Sequence, residues 1–432
     1  MNRSPRNPNS RATAVLRRRP AEGRRSRDPW SDQAPRRLLY IMHEHPSVSQ
    51  TFVVTEAAEV ERLGIPVVGY ALKRGSAPRP AASLELLCAP PSRRQLAWAA
   101  LIGTPHLLAL PWRAGERRLS LRESKRLVLA HLHATHALRQ LRNEGLAHIH
   151  AHFLGRSADV AMLMAARLDC DWSVTAHAGD AYSPAEPALL ERRLATAAAV
   201  ACASRSVHDS LRRRLPTMSA PTAIVHCGVD TSALHFPVSR KSNPQPHLVT
   251  VGRLVATKGH WTIIESADAL MRADGALRWT VVGDGPLQRP LIEAANRRGL
   301  TPRLSFVGAL AHDAILTLLR DADGFVLPCE EDERGGSDGI PVALMEAMAL
   351  GVPVVTSPVG GIRELVESEA TGFLVPPGDS AALTAVVERI VRPTHPAEIE
   401  AIRVAARTKV EQEFDLVAGA RRLIRLLDSY LP

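Results

Sequence analysis

The chain has 432 residues, 45% of them apolar, enough to bury a sizeable core and to hold two domains. Five cysteines (88, 170, 202, 227, 329) are scattered with no Cys-x-x-Cys pair, which speaks against a disulfide framework and for a reducing compartment. No run of about 18 uninterrupted apolar residues exists, which speaks against a spanning helix.

The formal charge of +10 is uneven: residues 1–37 hold eleven Arg against Glu22, Asp28 and Asp32, a net of +8, leaving +2 for the other 395. Polar, proline-rich and without periodicity, residues 1–36 read as a disordered basic arm. They lack the apolar core of a secretory signal. Two readings stay open, attraction to anionic membrane lipid or nucleic acid, and an idle tail; nothing marks a specific nucleic acid. The expected location is cytoplasmic, at the inner face of the membrane if the arm or the segment 96–112 binds lipid.

Order begins with an apolar strand at 37–42. A loop, a helical pattern to Gly64 and a strand at 66–72 follow, the opening of a doubly wound sheet. Residues 88–126 fit the alternation poorly. The stretch 96–112 is apolar, carries Trp98 and Trp112 near its ends, is broken by Pro105 and is flanked by arginines. It reads either as an interfacial membrane segment or as a helical pair packed on the sheet. Alternation resumes with strands at 148–153, 172–176 and 198–203, and a helix begun by Ser204 or Ser206. Residues 224–230 close this domain, and 237–246 is a linker by composition. The same grammar restarts with strands at 248–252, 279–283, 304–307, 324–327, 353–356 and 372–375, which predicts a mostly parallel sheet covered on both faces. A final amphipathic helix is expected at 408–431.

Several stretches carry chemistry. After the strand 248–252, Arg253 and Lys258 lie on one loop, where two cations suit a departing diphosphate. Gly283 and Gly285 form the turn after the next strand, either a structural turn or a close approach to a nucleotide. The run 330–339 is rich in glycine and ends at Pro341, a residue suited to the first turn of a helix; Gly351 stands where its C-terminal cap belongs. Such a helix, expected at 341–350, points its positive end at the loop and makes an anion site. Asp338 and Glu346, eight positions apart, are both able to face the cleft there. Gly360 and Gly361 offer further backbone donors, and His177 follows a strand end with Asp180 close behind.

Other polar clusters read as structural. His148, His150 and His152 would share one face of a strand with no matched carboxylate evident, and His131, His133 and His136 lie on a helix, where the 133–136 pair has ligand-like spacing. Asp321 and Asp323 form an Asp-x-Asp pattern set against a buried strand, where a turn role fits better than a metal. No metal site is expected.

The stretch 338–357 resembles the signature of the retaining glycosyltransferases of family four, with the run from Glu346 through Gly351 to Val355 matching residue for residue. The signature has two glutamates, and here Asp338 replaces the first. Val251-Gly-Arg-Leu254, Thr257-Lys-Gly259, the turn 281–286 and residues 224–230 are similar to further family stretches, with Cys227 where Asn is usual. The run from Pro46 to Phe52 is similar to a polysaccharide-synthesising subgroup, colanic-acid-type, with Gln50 in place of Glu. The resemblance covers roughly 38–430 and implies the GT-B fold, two Rossmann-like domains facing a cleft. By it, 37–238 is the acceptor-side domain, 247–410 binds the nucleotide sugar, and 411–432 crosses back as a helix. It further implies a metal-independent, retaining transfer from a UDP- or GDP-linked sugar, with no other cofactor, to a glycan or lipid-linked acceptor in cell-surface polysaccharide synthesis. Glu346 would bind the donor ribose and Arg253 and Lys258 its phosphates, with Gly283, Gly360 and Gly361 beside the donor. Asp338, Gly339 and Ile340 would address the sugar, and His177 would lie across the cleft. A non-catalytic scaffold of a polysaccharide assembly complex and a nucleotide-sugar epimerase of the same fold are the alternatives.

Overall fold

A computed structural model of the chain describes residues 37–47, 50–75, 84–87, 90–108, 113–114, 117–141, 145–182, 187–238, 243–273, 275–332 and 339–431. The basic arm, Trp112, Cys88 and Asp338 lie outside the described residues.

The first sheet is built from β1 (Arg37–His45) and β2 (Val67–Arg74), and then, past a short antiparallel hairpin of β3 (Arg113–Ala114) and β4 (Arg117–Arg118), from β5 (Leu146–His152), β6 (Trp172–Ala176), β7 (Ala199–Cys202) and β8 (Thr222–Ile224). Its order is β2-β1-β5-β6-β7-β8, parallel throughout. Leu38 to Met42 of β1 are all buried, because helices cover both faces and both side-chain rows must be apolar. On β5 the period of two puts His148, His150 and His152 on one face. His148 and His150 both bond Ser173 Oγ at 2.7 Å, and His150 also bonds Thr175 Oγ1 at 2.9 Å. His131 and His133 are likewise occupied, by Arg167 and Tyr70.

The second sheet comprises β9 (His247–Val251), β10 (Arg278–Val282), β11 (Leu304–Gly308), β12 (Gly324–Leu327), β13 (Val354–Thr356) and β14 (Phe373–Leu374), in the order β11-β10-β9-β12-β13-β14. It too is parallel. Strand order reverses between β1 and β5 in one sheet and between β9 and β12 in the other. A doubly wound sheet opens a crevice at such a point, beyond the carboxyl ends of the strands.

Two expectations need correction. The predicted break at Pro105 is absent: one helix runs Arg93–Leu108 through it. It lies along the helix Leu121–Gln140, with the Arg139 guanidinium 3.8 Å from the centre of the half-exposed Trp98 ring. The second concerns the single C-terminal helix of 408–431, which is two helices, Pro396–Glu413 and Leu416–Leu427. They part where Val229, at the end of the first domain, exchanges backbone hydrogen bonds with Phe414 and Leu416, at 2.9 and 3.0 Å, and Asp415 caps the second helix. A Cβ on Gly228 would stand 2.7 Å from the Leu416 backbone, so only glycine lets the two segments cross here. Beyond the break, Ala420, Leu423 and Leu427 bury into the first domain beside Tyr40 and Val53.

Candidate active site

Both switch points open onto one cleft of ≈ 910 Å³. One wall is the loop leaving β9. There Arg253 is exposed, while Lys258, in the 3-10 turn Ala256–Lys258, is mostly covered; both line the cleft. The loop is strapped to the turn after β10, with Leu254 N–H donating to Asp284 O at 2.8 Å and Leu287 N–H to Leu254 O at 3.0 Å. Gly283 takes φ 135° in that turn. A Cβ there would fall 2.0 Å from Gly252 O, so this glycine serves loop-to-loop approach as well as the cleft that it lines.

Lining the same cleft from the second domain is the helix Val342–Ala349, one residue shorter at each end than expected: Pro341 is its N-cap rather than its first turn. Gly339 to Ala343 line the cleft and point the helix N-terminus into it. Gly351 closes the helix at φ 68°, in the left-handed region that a C-terminal cap requires. Glu346, one turn in, is 7% exposed and bonds His312 Nε2 through Oε1 at 2.6 Å. It is not among the residues that line the cleft, although Val342 and Ala343, one turn earlier on the same helix, are.

His312 is a residue that sequence reasoning missed. The available signal was position: it opens the helix His312–Asp321 just beyond the carboxyl end of β11, where this fold gathers its ligands. The hydrogen bond from Glu346 is the main influence on the ring and raises its pKa above the ordinary histidine value. A raised folded-state pKa stabilises the fold at low pH, and that contribution fades as pH climbs through the folded value. An NMR titration should therefore place His312 above about 6.5, and Glu346→Gln should bring it back toward that value. A His312 titration indifferent to Glu346→Gln would show that the pair does not form in solution.

The far wall belongs to the first domain: Phe52, Phe153, His177, Ala178, Ser204 and Cys227. His177 is buried between the Phe52 and Phe153 rings, with centroids 5.1 and 4.3 Å away. Burial, with His152 beside it, holds its pKa well below the ordinary value. Asp180 acts on the loop, not the cleft: its Oδ2 accepts from the His177 N–H at 2.9 Å, and burial lifts its carboxyl to about 6. A Cβ on Gly339 would touch Ala178 Cβ at 3.5 Å, so the walls close on each other at this point.

Gly360 and Gly361 are not brought to the cleft lining. Gly361 packs on the first domain, where an added Cβ would meet Ser204 at 3.0 Å. Its neighbour Glu364 caps the helix Arg205–Arg214, accepting from the N–H groups of Arg205 and Ser206 at 2.8 and 2.9 Å, and also bonds His226 at 3.2 Å. This corner therefore clamps one domain to the other. Asp323 is a turn residue, accepting from His247 N–H at 2.8 Å and Asn243 Nδ2 at 3.1 Å at the amino end of β12, away from the cleft.

Comparison with known families agrees with this geometry. A Glycosyltransferase Family 4 model matches residues 49–233 and a Glycosyl transferases group 1 model matches 245–392, one for each sheet. The chain belongs to glycosyltransferase family 4. The amylovoran biosynthesis glycosyltransferase AmsK of Erwinia amylovora is 33% identical over 220 residues, 50% of this chain and 54% of AmsK. The putative colanic acid biosynthesis glycosyltransferase WcaL of Escherichia coli is 34% identical over 227 residues, 52% of this chain and 55% of WcaL. The chain thus spans about half the length of the curated family members it matches. The fold extends further, and the family's GT-B architecture is evident in solved structures. Sucrose-phosphate synthase from Thermosynechococcus elongatus superposes with a TM-score of 0.67 at 20% identity, covering 91% of this chain and 98% of that one. Anabaena HepE, solved in complex with UDP-glucose, gives 0.64 at 17% identity, covering 91% and 99%.

Proposed function

We propose that the chain transfers a sugar from a nucleoside-diphosphate donor to a glycan or lipid-linked acceptor in exopolysaccharide biosynthesis, retaining the anomeric configuration. The carrying observation is the meeting of Arg253, Lys258 and the Val342–Ala349 helix N-terminus on one side of a cleft whose other side holds His177. Two cations and a helix dipole converge where a diphosphate gains charge as the sugar leaves. Glu346, close behind, takes the ribose hydroxyls by exchanging its bond with His312. Asp338 with the Gly339–Ile340 backbone addresses the sugar, and the departing phosphate receives the acceptor's proton. The matches to AmsK and WcaL support the polysaccharide setting, and the UDP-glucose complex of HepE supports a donor of this class.

Release of nucleoside diphosphate, assayed with a panel of UDP- and GDP-sugars with and without glycan acceptors, tests the reading. Acceptor-stimulated release is the expected result. Turnover to an isomeric donor without acceptor would indicate an epimerase, and no turnover at all a scaffold.

The same reading makes transfer independent of divalent metal, because Arg253, Lys258 and the helix supply the charge stabilisation that a cation supplies elsewhere. Activity should survive excess EDTA, and Asp321→Ala should keep most of it. Loss of activity in EDTA, restored by Mg²⁺ or Mn²⁺, would refute this.

No helix among the described residues is long and apolar enough to cross a membrane. Contact with an anionic membrane through the basic arm remains part of the proposal, tested by whether removing residues 1–36 weakens sedimentation with anionic liposomes in a salt-dependent way.

A further inference from the structure

Behind the cleft wall, the first domain contains an unbroken line of buried hydrogen bonds that ends on His177. Glu56, on the inward face of the helix Thr51–Arg62, is 6% exposed. Its Oε1 accepts from Tyr40 Oη at 3.0 Å and bonds His152 Nε2 at 3.2 Å. The other nitrogen of that ring, His152 Nδ1, bonds His177 Nε2 at 3.2 Å. The two imidazoles lie nearly parallel, 28° apart, with centroids separated by 5.5 Å. His177 Nδ1 is left facing Cys227 Sγ, 4.0 Å away, and both residues line the cleft.

The donor and acceptor roles along this line follow from its first member. A carboxylate only accepts, so His152 Nε2 carries the proton. In the neutral form of that ring Nδ1 then carries none, and it accepts from His177 Nε2–H. That leaves His177 with an unprotonated Nδ1. The thiol beside it keeps its own proton, since burial pushes Cys227 upward, and is only a weak donor. We propose that Glu56, acting through His152, fixes the tautomer and orientation of His177, so that Nδ1 meets the cleft as an acceptor for a substrate hydroxyl, which displaces the Cys227 contact. Glu56 and His152 are positioning residues, and His177 is the group that touches substrate. The assignment of that hydroxyl to a sugar substrate rests on the transferase reading above.

The groups facing His177 are His152, Cys227, the Phe52 and Phe153 rings and, from its own loop, Asp180 through the backbone; Tyr40, Glu56 and His150 face His152. Glu56, His150 and His152 also bring ligand atoms within 4.8 Å of one another, a spacing that could hold a metal ion. The relay accounts for these residues better, because both ring nitrogens of His150 are already bonded to Ser173 and Thr175.

The test compares wild type with Glu56→Gln and Glu56→Asp, and it has a readout that needs no activity. In ¹⁵N-imidazole spectra of the wild type, His177 should show a protonated Nε2 and a bare Nδ1. Glu56→Gln should mix the tautomers of His152 and His177, and Glu56→Asp should largely restore them. In transfer assays Glu56→Gln should lower kcat by about ten- to a hundredfold, the size of effect seen when a carboxylate that orients a metal-bound histidine is removed, with donor KM unchanged. Without the Glu56 charge His177 is harder to protonate, so the acid limb of the kcat profile should move to lower pH. A simple loss of fold would not move that limb. A wild-type His177 protonated at Nδ1, an unchanged acid limb in Glu56→Gln, or stoichiometric zinc that Glu56→Gln releases would each overturn the relay. If no nucleotide sugar turns over while the spectra show the expected tautomers, the transferase reading fails and the relay stands.

Discussion

Replacing Arg253 and Lys258 together with alanine should reduce transfer at least about a hundredfold while the protein remains folded. In the proposed reaction each residue would offer a charged hydrogen bond at the position where a diphosphate becomes more negative. Losing one such bond typically costs about 2–4 kcal/mol at the transition state. The two are not equivalent in the fold. Arg253 is exposed and its removal disturbs little, whereas Lys258 is mostly covered and runs its stem past Gly252, where an added Cβ would lie 3.6 Å from Cδ. Thermal melting of the double variant and both single variants separates lost chemistry from lost packing. Rates near wild type in a folded double variant would remove the cations from the site.

Gly283→Ala should damage both stability and function. Its φ of 135° is strained for any other residue, and the new Cβ would lie 2.0 Å from Gly252 O and 2.9 Å from its carbonyl carbon. Backbone cannot rotate aside as a side chain can, so the loop carrying Arg253 has to move. Strain and overpacking of this kind cost about 3 kcal/mol or more. For a domain of this size, that corresponds to a fall in Tm of roughly 6–12 °C. Donor affinity should fall with it, because Arg253 and Lys258 ride on the displaced loop. An unchanged Tm would mean that the turn after β10 is looser than the hydrogen bonds of Asp284 and Leu287 to Leu254 indicate.

The sequence made the fold legible wherever burial on both faces forced continuous apolar runs. All six strands of the second sheet lie within a residue or two of their expected places, because β-branched runs such as that at Val354–Thr356 have few alternatives. The place of Arg253 and Lys258 in the cleft lining was readable because a fixed strand end presents them. His312 was not, since its partner Glu346 is thirty-four positions away and only the tertiary fold sets their 2.6 Å contact. Gly361 stands outside the cleft lining for a related reason. A glycine pair beside a helix looks like an anion cradle in sequence, whereas here an added Cβ would press on Ile340 at 2.9 Å and on Ser204 of the other domain at 3.0 Å. The break in the C-terminal helix was hidden because an amphipathic pattern continues across it, and the backbone bonds to Val229 that cause it are long-range. The histidines of β5 showed their shared face in sequence, but Glu56, which gives them direction, lies ninety-six positions from His152.

Binding of a nucleoside diphosphate in the cleft through Arg253 and Lys258 underlies every step proposed above. Titration calorimetry with UDP and GDP, on the wild type and on Arg253→Ala/Lys258→Ala, tests it most directly. Saturable one-to-one binding of at least one of the two nucleotides to the wild type is expected, weakened at least about tenfold in the double variant, roughly 1.4 kcal/mol. Equal binding by the two proteins, or binding of neither nucleotide by the wild type, would contradict it.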